Sequence, residues 1–123
     1  MDQSWTYLLR RYGSEDRSPS PEQISDAARE LFFEELPGRT EDDYAAHPEA
    51  SLRFGFDSGP MYVLSMNRRG NATFEVWRDQ DYEVEAKPPR GLANLGHAKA
   101  VELWGLLASG NVLQLEAIFD ADA

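Results

Sequence analysis

Carboxylates are the one kind of reactive group this chain holds in quantity. It has 22 Asp and Glu against 12 Lys and Arg, two His and no Cys, for a formal net charge of −10. Two carboxylates held close together can share a proton or bind a divalent cation. Glu75 with Glu85, and Asp79 with Asp81, are the pairs whose spacing allows this. No supporting pattern accompanies them: Asp79-Gln80-Asp81 is too short for a calcium loop, and the later Gly and Glu of that motif are missing. His47 and His97 stand 50 residues apart without ligand-spaced neighbours, so no zinc site is read. The lack of cysteine removes disulfide and thiolate chemistry. Gly55, Gly59, Gly70, Gly91 and Gly96 fit no phosphate-binding pattern and read as turn and cap residues. No catalytic residue, metal or cofactor is therefore expected, and the chain is not read as an enzyme.

The placement of the charge says more than its amount. Between Pro21 and Ala50 lie nine acids and two bases, a net of −7 in a quarter of the chain. Such a field repels nucleic acid and anionic membrane and steers basic protein surfaces inward. Arg68-Arg69, at a turn, is too small a basic patch to reverse this, so neither a nucleic acid nor a membrane is expected as partner. Two surfaces are candidates for a basic partner. Glu22, Asp26, Glu30 and Glu34 fall four apart and make an acidic row on a helix, although a solvated helix face has the same pattern. The second surface is the outward side of a hairpin. There a three-residue loop at Asp79-Gln80-Asp81 would set Arg78 opposite Tyr82, Trp77 opposite Glu83 and Glu75 opposite Glu85. An indole among carboxylates suits an interface, because it offers large rigid area while the acids select the partner; it would equally suit packing under a helix or loop. The partner-binding candidates are Glu30, Glu34, Glu75, Trp77, Glu83 and Glu85.

These residues need elements to hold them. At 123 residues the chain is expected to be one domain, residues 1–123, with a single core. Trp5, Leu8, Leu9 and Tyr12 have helical spacing, which predicts a short helix over Trp5–Arg11, followed by a polar loop from Gly13 to Pro19. Ser20 as N-cap, Pro21 at the first helical position and Gln23 completing a capping box open the next helix. Ile24, Ala27, Ala28, Leu31 and Phe32 give it a core stripe, and Pro37-Gly38 ends it. Thr40 with Asp43 predicts a further short helix stopping before His47-Pro48. Then the period changes to two. Leu52, Phe54 and Phe56 alternate with Ser51, Arg53 and Gly55; Met61–Met66 is a second strand; Ala72, Phe74 and Val76 mark a third; Tyr82, Val84 and Ala86 mark a fourth. Lys87-Pro88-Pro89 is expected to end the sheet. A helix over Gly96–Ser109 follows, with Val101, Trp104, Leu107 and Ala108 as its stripe and Gly110 as its cap. Asn111 then caps a last helix bearing Leu115, Ile118 and Phe119. The expected class is α+β: a four-stranded antiparallel meander over about 51–86, with N-terminal and C-terminal helices on one face.

In size, charge and architecture the chain resembles the small acidic immunity proteins that protect bacteria from their own secreted toxins. The resemblance is one of general character and carries no site residue across. It implies an inhibitor that neutralises a basic partner, such as a toxin or nuclease, with ordered carboxylates and an aromatic plug. The alternatives are a non-inhibitory adaptor using the same surface and a carboxylate-dependent enzyme. The strand of Trp77 would also serve a homodimer. Met1-Asp2-Gln3-Ser4-Trp5 has no signal-peptide character, and the longest apolar stretch falls far short of a bilayer span, so a cytoplasmic protein is expected.

Overall fold

A computed structural model of the chain describes residues 4–10, 15–33, 49–57, 59–67, 70–78 and 85–121, with the side chains of 32–33, 85–88 and 121 left aside. Its elements are β1 (Ser4–Leu9), β2 (Glu15–Arg17), α1 (Pro21–Phe33), β3 (Glu49–Phe56), β4 (Met61–Asn67), β5 (Ala72–Trp77), β6 (Glu85–Leu92), α2 (His97–Ala108) and α3 (Val112–Ala121). The class is α+β, as expected. The sheet, however, has six strands in the order β2-β1-β3-β4-β5-β6, every neighbouring pair antiparallel.

Both extra strands come from the N-terminus. The segment expected as a helix is β1. Read as a helix, Trp5, Leu8 and Leu9 share one stripe; read as a strand, Trp5, Tyr7 and Leu9 face one way and Thr6 and Leu8 the other. Pairing decides it, because β1 lies against β3 from Ser4↔Phe56 to Leu9↔Ser51. Trp, Thr and Tyr also favour the strand. The polar loop after it contains β2, which pairs Glu15, Asp16 and Arg17 with Leu9, Leu8 and Tyr7. As a result α1 is not an appendage before the sheet. It carries the chain from the edge strand β2 over the sheet to β3.

The fourth strand of the expected meander also lies elsewhere. β6 runs Glu85–Leu92, through the two prolines expected to end it. It is an edge strand, where a missing N–H costs no ladder bond. The β5–β6 register shifts between Phe74↔Arg90 and Val76↔Lys87, so Pro88 and Pro89 together oppose Glu75 in a bulge. The expected pairs Trp77–Glu83 and Glu75–Glu85 do not form; Trp77 opposes Glu85 instead. The three-residue loop, Tyr82, Val84, Glu34, Pro37-Gly38, Thr40, Asp43 and His47 lie outside the described residues.

The helices cover one side of the sheet. Leu8, Leu52, Phe54, Leu64, Met66, Phe74 and Val76 form one apolar cluster with the helical residues Ile24, Ala28, Leu31, Leu103, Trp104, Leu107, Leu115 and Phe119. The capping box at the start of α1 is complete: Gln23 N–H donates to Ser20 Oγ at 3.2 Å, and Ser20 N–H donates to Gln23 Oε1 at 2.8 Å. In α2 the buried stripe is Ala100, Leu103, Trp104 and Leu107, with the expected Val101 and Ala108 at its half-buried margin. Trp104 is fully buried and its indole N–H donates to the Leu64 carbonyl at 3.0 Å, fixing α2 on β4. Gly110, at φ +80°, ends α2. Its N–H bonds the Leu107 carbonyl and the Asn111 N–H bonds that of Leu106, the paired bonds of a Schellman motif. Arg90 ties β6 to α3 through Glu116 and Asp120, with its guanidinium 5.2 Å over the Phe74 ring.

Ser20→Ala removes one half of the capping box. It should lower stability by about 1 kcal/mol, read as a shift in the urea midpoint with an unchanged slope.

Candidate functional site

The side of the sheet away from the helices holds the candidate site, and strand register sorts it into three rows. The first reads Trp5, Gly55, Met61 and Trp77 across β1, β3, β4 and β5. The second reads Arg17, Tyr7, Arg53, Val63 and Glu75 across β2, β1, β3, β4 and β5. The third reads Glu15, Leu9, Ser51, Ser65 and Thr73 over the same strands. An aromatic row, a charged row and a short hydroxyl row thus lie side by side, about 7 Å apart, the span of two residues along a strand.

Glycine at position 55 makes the first row possible. A Cβ there would stand 2.5 Å from Trp5 Cζ2 and 2.9 Å from Cη2. The indole therefore lies directly on the backbone of β3, and any side chain would push it off. Trp5 also meets Tyr7 at 5.3 Å between ring centroids, tilted by 47°. From the other side the Arg17 guanidinium sits 5.3 Å over the Tyr7 ring, a cation–π contact. Between these groups runs a groove of about 360 Å³, bounded by Trp5, Tyr7, Arg53 and Met61, with Glu15 and Asp57 among its lining residues.

The candidates from sequence divide between the two sides of the molecule. Glu75 and Trp77 lie on the side away from the helices, both half-buried, and the Trp77 indole N–H donates to Glu75 Oε2 at 2.9 Å. That bond holds the ring along its own strand. Glu85 is the backbone partner of Trp77 at the sheet edge. Glu30 is on the helix side, where Arg10 lies 2.8 Å from Asp16 and 3.5 Å from Glu30. Glu34 and Glu83 lie outside the described residues. One compact contact therefore cannot use Glu30 and Trp77 together, because the sheet stands between them. Sequence reasoning passed over Trp5, Tyr7, Glu15, Arg53 and Asp57. The first two had a signal, the alternation of Trp5, Tyr7 and Leu9 with Thr6 and Leu8, which competed with the helical spacing.

Most described carboxylates on the helix side, Glu22 excepted, take part in ion pairs. On the helix side Asp16 and Glu30 are paired with Arg10, Asp26 with Arg29, Glu102 with Lys99 at 3.2 Å, and Glu116 and Asp120 with Arg90. On the side away from the helices and its rim, among the described residues, Glu15, Glu49 and Asp57 have no such counter-ion. Among the described residues no group of three His, Cys, Asp or Glu is placed to hold a metal ion, and no helix is long and apolar enough to cross a membrane. Comparison with protein families, characterised proteins and solved structures finds no match to this chain.

Gly55→Ala should destabilise the protein by about 1–3 kcal/mol, because the new methyl and the indole claim the same space. Repeating it in a Trp5→Ala background should recover most of that loss in a double-mutant cycle of urea unfolding. Equal losses in both backgrounds would show that the ring does not rest on Gly55.

Proposed function

We propose that the chain is an acidic protein-binding module that docks a basic protein through the face of its sheet away from the helices. In its sharpest form it is a bacterial immunity protein, acting in the cytoplasm to neutralise a basic toxin such as a nuclease. The observation that carries this reading is the setting of the acids away from the helices: on the helix side most described carboxylates, Glu22 excepted, are paired within the chain, whereas Glu15, Glu49 and Asp57 face solvent without a counter-ion on the side that holds the half-buried Trp5, Tyr7 and Trp77. In this reading Trp5, Glu75 and Trp77 form the contact, with Glu85 opposite Trp77 at the sheet edge. Glu30, on the helix side, contributes only long-range attraction. Such charge raises the rate of encounter and aids specificity more than it tightens the final complex.

The reading is tested by capture from a source lysate at about 0.05 M and about 0.5 M salt, since the Debye length falls from roughly 14 Å to 4 Å between them. A basic protein should be held at low salt, released at high salt and lost with Trp77→Ala plus Glu75→Lys in a variant that still melts cooperatively. The purified partner should lose its own activity on addition of one equivalent of the chain. A partner captured with its activity intact would make the chain an adaptor, and the absence of any basic partner would overturn the binding-module reading.

A further inference from the structure

We draw no further inference here: the strongest candidate, the apolar groove of about 270 Å³ between the start of α1 and the second half of α2, lined by Pro21, Ile24, Val101, Gly105 and Ala108, carries nothing because nothing in the structure shows what covers it.

Discussion

Everything distinctive about this molecule depends on the pairing of β1 with β3. Six residues, Ser4↔Phe56 to Leu9↔Ser51, join the start of the chain to its middle. That register buries Leu8 among the helices, lays Trp5 on Gly55 and sets Tyr7 beside Arg53. A slip of one residue would exchange the two faces, putting Trp5 and Tyr7 into the core and Leu8 into solvent. The pairing also dictates the path of α1. Because β2 lies on the outer side of β1, the chain must cross the sheet to reach β3, and its capped, one-sided helix makes that crossing while burying Ile24, Ala27, Ala28 and Leu31.

The two faces then differ in kind. On the helix side large side chains close on one another: Trp104 against β4 through the Leu64 carbonyl, Phe119 on Phe74, and Arg90 over Phe74 and bridged to α3. Several ionic groups at its margins find partners inside the chain. On the other face Met61 and Val63 are almost fully buried, at 2% and 4% exposure. Trp5 and Tyr7 on the same face are half-buried. A face that buries its small residues and leaves its aromatics and carboxylates partly open has the composition of an interface core with a charged rim.

Much of this was legible in the sequence, and the exceptions have physical causes. The capping box at Ser20, the β3, β4 and β5 strands and the two last helices follow from local signals, since each segment's own period agrees with its tertiary setting. The helical reading of β1 arises because Trp5, Leu8, Leu9 and Tyr12 satisfy a helical period, while Trp5, Tyr7 and Leu9 alternate equally well with Thr6 and Leu8. Only a partner strand distant in the chain, 46 positions away at Tyr7↔Arg53, separates the two. β6 was cut short because two prolines forbid a central strand but not an edge one, and edge status is a property of the whole sheet. The cost at the site was a register error: Glu83 and Glu75 were placed opposite Trp77 and Glu85, where the structure has the Trp77↔Glu85 pair and a proline bulge facing Glu75. Trp77 and Glu75 were still found together, because residues two apart on one strand share a face whatever lies opposite.

The division of the acids between two faces separates two roles that a net charge of −10 merges. Unscreened charge acts over about a Debye length, close to 8 Å at physiological ionic strength, so under the proposed function the acidic residues of α1 would attract a cationic protein without touching it. Retaining that protein needs desolvated contacts, and there the helix side is poorly placed. Asp16, Glu30, Asp26, Glu116 and Asp120 already have internal cations, and a partner would have to displace Arg10, Arg29 or Arg90 to reach them. Breaking those pairs would cancel most of the gain, and freeing Arg10 would also loosen the join between β2 and α1. On the sheet face nothing comparable has to be undone at Glu15 or Asp57, and the rigid indole beside them loses little entropy on contact.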